Sequence, residues 1–202
     1  RATQPSLPTT TGRLWADLVP YKTILYRYVE GFNACEKKMS LQQWIEFGST
    51  VKKLHTAVIP PSITITIPKE DFSPQWRDQV KMILARASQE TFKEPVAVEL
   101  AVFLKSKSEE ILSLVKRAEH LAKKLQNQPL DFVLCHADIH GWNLLIDKNN
   151  ALYLVDWDTL IYAPKERDLM FIGCGLGDSG YSPEEEEDLF YQGYGKTNIN
   201  RA

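Results

Sequence analysis

Long apolar runs are missing from this 202-residue chain; the longest fall far short of the roughly 20 residues that a membrane helix needs. Cysteine is scarce. Cys35, Cys135 and Cys174 are widely spaced, odd in number and form no C-x-x-C pair. A disulfide framework is thereby excluded, and a reducing cytoplasm is the expected compartment. There is no excess of positive charge: 24 Lys+Arg against 26 Asp+Glu give a net charge of -2, which argues against a nucleic-acid binder. No internal repeat is visible. Hydrophobic residues at 44% and charged residues at 25% are ordinary for a globular chain and exclude global disorder. A methionine start is also lacking: the chain begins at Arg1 and ends on Asn-Ile-Asn-Arg-Ala, so a piece of a longer protein is expected.

Along the chain, residues 1–12 read as a loop or frayed end, 13–19 as a candidate strand, and 22–30 (KTILYRYVE) as a β-branched, aromatic strand ended by Gly31. Ser40 and Gln43 have capping-box spacing, and Leu41, Trp44, Ile45, Gly48, Val51, Leu54 and His55 follow a 3.6-residue period up to the Pro60-Pro61 stop. Residues 62–73 read as a loop in which the alternating ITITI at 63–67 is a candidate short strand. Helices are expected from Pro74 to about Ser88 and from Pro95 to about Leu104. A third should be opened by a Ser106/Glu109 capping box and run to about Asn127. The texture then changes to short strands: FVLCH at 132–136, LLI at 144–146 and LYLVD at 152–156, with the DKNN turn between the last two. A short helix at 166–172, a GCGLGDSG loop at 173–180 and a helix opened by Ser182, Pro183 and an acidic first turn complete the chain.

The residues that carry chemistry are His136, Asp138, Asn143 and Asp156. Asp138 and Asn143 stand five apart on a polar loop between two strands. Asp156 lies thirteen further on, where the next strand ends, so a hairpin brings all three together. Hard oxygen donors in that arrangement suit Mg²⁺, and Asp138 is placed to accept a proton from an attacking hydroxyl. A competing reading takes His136, Asp138 and His140 as a zinc site, but leaves Asn143 and Asp156 without a task. Two glycine patterns are decoys. Gly173-x-Gly175-x-Gly177 follows a helix rather than a strand, and Gly195-Lys196-Thr197 has Phe190 where a P-loop needs glycine. Cys135 sits in a buried strand and is no nucleophile candidate. His55, closing an apolar helix face, reads as a buried structural histidine, and His140 as a loop-packing residue.

The stretch HADIHGWN matches the pattern H-x-D-x-x-x-x-N, and VDWD follows where kinases carry D-F-G. In this form the pair resembles the aminoglycoside phosphotransferase and choline kinase superfamily, and CHADIHGWNLLID is most similar to spectinomycin phosphotransferase-type members. The resemblance runs over roughly residues 22–195. It implies an α+β, protein-kinase-like C-terminal lobe, mainly helical, with a small β-hairpin at the active site. Residues 1–30 would be a remnant of N-lobe strands and hinge, and 31–202 the C-lobe. It implies Asp138 as catalytic base, His136 as shaper of the loop, and Asn143 and Asp156 as holders of Mg²⁺ on ATP. The backbone of Tyr28, Val29 and Glu30 would meet adenine, and Asp168 would buttress the loop.

No Gly-rich loop or strand lysine precedes residue 22, so the fragment alone is expected to be inactive. About ten residues separate Asp156 from the helix at 166, too few for a protein kinase's activation segment. A small molecule is therefore the expected acceptor, probed by Asp158, Trp142 and Trp157 and, if cationic, attracted by acidic groups such as Asp158 and Glu184–Glu187. A metabolic kinase for choline, a sugar or homoserine and a non-catalytic kinase-like module are the alternatives. No nucleic acid or membrane partner is expected. The oligomeric state is open, with dimers or domain swapping accessible through a truncated apolar surface.

Overall fold

The computed structural model describes residues 5–174 and 180–200. In chain order the elements are β1 (Ala16–Leu18), β2 (Tyr21–Thr23), β3 (Gly31–Asn33), α1 (Leu41–His55), α2 (Pro61–Thr64), α3 (Gln75–Gln89), α4 (Pro95–Ser106) and α5 (Ser108–Gln126). They continue with β4 (Phe132–Cys135), a 3₁₀ turn (Gly141–Asn143), β5 (Leu144–Asp147), β6 (Leu152–Leu154), β7 (Ile161–Pro164), α6 (Glu166–Leu169) and α7 (Pro183–Tyr194). The chain is α+β and divides into two compact units, one from residues 1–69 and 131–199, the other from 70–130 with 200–202.

The first unit is built on α1 and α7. Ser40 caps α1: its hydroxyl accepts from the Gln43 N–H while its own N–H donates to the Gln43 side chain at 2.8 Å, as the spacing predicts. Trp44, Phe47 and Val51 recur on the buried face and meet Phe190 and Tyr194 of α7. The helices touch backbone to backbone because Gly48 and Gly193 face one another's partners; a Cβ at Gly48 would overlap the Phe190 carbonyl, and one at Gly193 the Ile45 carbonyl. Ser182 caps α7 reciprocally with Glu185, with Pro183 in the first turn, again as expected.

Against this pair lie short antiparallel sheets. β3, β5 and β6 form one, in register Phe32↔Ile146 and Ile146↔Leu152; β4 pairs with β7, Cys135 opposite Ile161; β1 and β2 form a hairpin. Leu144, Ile146, Leu152 and Leu154 point inward on alternate positions and close the core with Ile139.

Several expectations are corrected. The strand expected over 13–19 shortens to β1, and that over 22–30 survives only as β2; residues 24–30 carry no ladder. Gly31 does not end a strand but begins β3, where a Cβ would run into the Ile146 carbonyl. ITITI is not a strand. Pro61 starts α2, and Ile63 and Ile65 lie exposed with no sheet to cover them, so alternation loses to the helix-starting proline. β7 follows from no sequence signal.

The second unit is the bundle α3, α4 and α5, with Leu84, Ala87, Ala101, Val115 and Ala122 buried. Lys81 of α3 bonds to both Asp78 and Glu119, the latter on α5. The Ser106/Glu109 capping box is absent: α4 runs on to Ser106, whose hydroxyl donates back to the Phe103 carbonyl at 2.7 Å, and Lys107 opens α5 without a side-chain cap. Residues 175–179 of the expected GCGLGDSG loop lie outside the described residues.

Candidate active site

The loop between β4 and β5 is held from beneath. Asp168, fully buried on α6, accepts the His136 N–H at 3.0 Å and the Ala137 N–H at 2.7 Å, and its Oδ2 lies 2.9 Å from His55 Nε2. This clamp holds Ala137 at φ 66°, a left-handed conformation that costs a residue with a Cβ about 1–3 kcal/mol. Immediately after it, Asp138 points outward with its side chain 40% exposed. His136 points inward: its Nε2–H donates to the Val155 carbonyl at 2.9 Å, its ring meets Trp157 edge-on at 4.7 Å, and its carbonyl accepts the Thr159 hydroxyl at 2.7 Å. His136 thus ties the loop to the segment carrying Asp156.

Asn143, buried in the 3₁₀ turn, has its amide orientation fixed by chemistry. Its Nδ2 donates to the Asp138 carbonyl, which can only accept, at 3.0 Å, and lies 3.4 Å from Asp138 Oδ2 and 3.2 Å from His140 Nε2. The amide oxygen therefore faces the other way. Its backbone carbonyl accepts the Val155 N–H, which puts Asn143 beside the end of β6 and so near Asp156. Asp156 is itself at φ 65°, a second strained position in the site. Its carboxyl is raised above the usual carboxylate range, first by a hydrogen bond with Asp158, then by burial and by the charges of Asp158 and Asp138, against a smaller lowering by His136.

Beside these groups lies a cleft of about 680 Å³. Ile24, Tyr26, Arg27, Tyr28 and Val29 form one wall; Leu145, Leu154, Val155, Asp156, Trp157 and Asp158 form the other. Glu30 is not among the lining residues and points to Lys148 at 3.6 Å. Trp157 donates its indole N–H to Leu154 O at 2.9 Å, whereas Trp142 is largely exposed outside the lining.

The sequence matches the profile of the phosphotransferase enzyme family over residues 22–199. The chain belongs to that family. Spectinomycin phosphotransferase crystallised with ADP and spectinomycin superimposes with a TM-score of 0.88 at 32% identity, covering 99% of this chain and 60% of that one. The AMP-bound form of spectinomycin phosphotransferase gives 0.88 at 33%, covering 100% and 63%. The chain therefore spans about three fifths of those relatives. Plasmodium vivax ethanolamine kinase shares the fold, with a TM-score of 0.62 at 14% identity over 96% of this chain and 53% of that one. No curated protein sequence matches significantly.

The oxygen donors gathered here, those of Asn143 and Asp156 among them, are of the kind that suits magnesium. Asp138, Asp156 and Asp158 bring carboxylates together at the cost of mutual repulsion, visible in the raised Asp156, and the donors are hard oxygens throughout. The zinc alternative is not assembled: among the described residues His136, Asp138 and His140 do not bring their ligand atoms together, and the His136 ring is buried. Among the described residues, the three ligand-type side chains that do converge are His55, Cys135 and Asp168. Both His55 nitrogens are already hydrogen-bonded, and burial pushes the Cys135 thiol far up, so that cluster is a hydrogen-bonded core.

His55 is buried, as its place on the helix suggests. His140 does more than pack, reaching Asn143 and, at 3.5 Å, Asp138. Thr159 and Tyr194 escaped the sequence reading. The signal for Tyr194 was the spacing Glu186, Phe190, Tyr194 on one helix face, all buried.

Proposed function

We propose that the chain transfers the γ-phosphate of ATP, with Mg²⁺, to a hydroxyl of a small cationic acceptor of the aminoglycoside or aminocyclitol kind. One observation carries this reading: Asn143 donates to Asp138, the charge of Asp138 reaches Asp156, and Asp156 lines a cleft together with Ile24, Tyr26, Arg27, Tyr28 and Val29. Asp138 accepts the proton of the acceptor hydroxyl; its exposure leaves the carboxylate open to a substrate, and the Asp168 clamp fixes its direction. Asn143 and Asp156 hold the cation, which when bound neutralises charge on the phosphate oxygens. Tyr28 and Val29 offer backbone to adenine, while Glu30, turned to Lys148, contributes its main chain at most. Asp158 and Trp157 face the acceptor, a carboxylate and a flat apolar ring suited to an ammonium-bearing ring system. Residues 1–30 are read as the remnant of N-lobe strands and hinge, and 31–202 as the C-lobe. The Gly-rich loop and lysine that cover the phosphates then have to come from outside these residues, so the chain alone turns over poorly. A cytoplasmic setting is part of this reading and suits the three widely spaced cysteines.

The test is ADP release by the whole natural polypeptide that contains this chain, offered spectinomycin, aminoglycosides, choline, ethanolamine and homoserine. Release driven by an aminocyclitol or aminoglycoside, dependent on Mg²⁺ and lowered about 10²- to 10⁴-fold in kcat by Asp138→Ala, is expected. Release driven by choline, ethanolamine or homoserine instead would make it a metabolic kinase. None with any acceptor would make it a non-catalytic module.

A further inference from the structure

Beneath the loop runs a buried chain of hydrogen bonds: Tyr194 Oη to His55 Nδ1 at 2.8 Å, His55 Nε2 to Asp168 Oδ2 at 2.9 Å, and Asp168 to the His136 and Ala137 N–H groups. It joins the C-termini of α1 and α7 to the loop. The Asp168 carboxylate can only accept here, so the imidazole nitrogen facing it must carry the hydrogen. In the neutral ring Nδ1 is then a bare lone pair, buried, and needs a donor. The phenol of Tyr194 is the group within reach. Burial pushes its pKa up to about 12, which keeps the donor proton in place.

We propose that Tyr194 is a positioning residue: by donating to His55 Nδ1 it holds the Nε2–H tautomer that completes the donor set of Asp168, and so fixes the backbone that aims Asp138. Without it Nδ1 would be an unsatisfied buried acceptor, and the ring would gain by turning or by moving its proton. Either change removes a donor from Asp168 and loosens the two amides it holds. The inference rests on the catalytic reading of the loop given above.

The test uses the whole natural polypeptide that contains this chain and needs neither nucleotide nor acceptor. In ¹⁵N spectra of the histidine rings, His55, assigned by His55→Gln, is expected to show a protonated Nε2 and a bare Nδ1. A protonated Nδ1 in the wild type would overturn the relay. Tyr194→Phe keeps the ring stacked on Phe190 (centroids 5.5 Å apart), so the packing survives. It is expected to erode the Nε2–H signal and speed hydrogen exchange at the His136 and Ala137 amides about five-fold or more. Tyr191→Phe, whose ring neighbours Tyr194, is expected to change neither. Unchanged tautomer and exchange in Tyr194→Phe would contradict the proposal. In the active polypeptide, Tyr194→Phe should lower kcat several-fold and leave the acceptor KM in place; a fall in KM affinity alone would count against positioning. A wild type that transfers no phosphate would refute the function while the tautomer and exchange results still decide the relay.

Discussion

Asp156 combines two costs that few residues carry together: a left-handed backbone and a carboxyl crowded by Asp158 and Asp138. Both are features of a site kept for function rather than stability. The raised carboxyl has a sign. A carboxyl whose folded pKa lies above its unfolded value helps folding below the unfolded value, and that help is lost as pH rises through the folded one. Asp156→Asn should therefore raise Tm at pH 8 and change it little at pH 4, since Asn also tolerates positive φ. Thermal melts without metal check this, and a Tm that falls at pH 8 would remove the crowding argument. With Mg²⁺ added, the wild type should gain Tm at pH 8 and the variant should not. The candidate set His136, Asp138, Asn143 and Asp156 could be picked out because its residue types and spacing match a family pattern. His140's reach to Asn143 and the donor from Tyr194 could not, because both depend on contacts that close only in three dimensions.

At the scale of elements, legibility follows how local the determinants are. α1 and α7 announce themselves by capping boxes that form as spaced. β3 and β7, three and four residues long, are strands only because partners lie beside them, so neither shows alternation. The β5–β6 turn is a local device of the first kind. Asp147 accepts the Ala151 N–H at 2.9 Å and the Asn149 N–H at 2.8 Å, and the first of these is the largest influence holding its carboxyl below the usual range. Its contribution is present above the unfolded carboxylate pKa and is lost as pH falls through the lower folded one. Asp147→Asn should thus lower Tm slightly at pH 7, with the difference vanishing near pH 2. Paired melts across that range measure it. The α1–α7 contact makes a sharper case. Gly48→Ala places a methyl group on the Phe190 carbonyl and should destabilise by about 1–3 kcal/mol in urea unfolding. A neutral substitution would mean the helices can part without loss.

For the molecule as a whole, the clamp and the cleft lie in the unit formed from residues 1–69 and 131–199. Its parts come from far apart in sequence: His55 from α1, Asp168 from α6, Tyr194 from α7, and the cleft wall from residues 24–29. Composition and periodicity could not show that convergence. The family resemblance led to an expectation for Asp168 beneath the loop and for residues 28–30 at the cleft, but not for the meeting of His55 with Tyr194. The capped helices α1 and α7 begin far from the candidate site, and their C-terminal residues His55 and Tyr194 meet beneath it.

The measurement that bears most directly on the central claim is mass spectrometry of spectinomycin incubated with Mg·ATP and the whole natural polypeptide, beside its Asp138→Asn form. The account predicts one phosphoryl group on the drug with the wild type and almost none with the variant. Phosphorylation that persists at the wild-type rate in Asp138→Asn would contradict the assignment of Asp138 as the base on which the site is built.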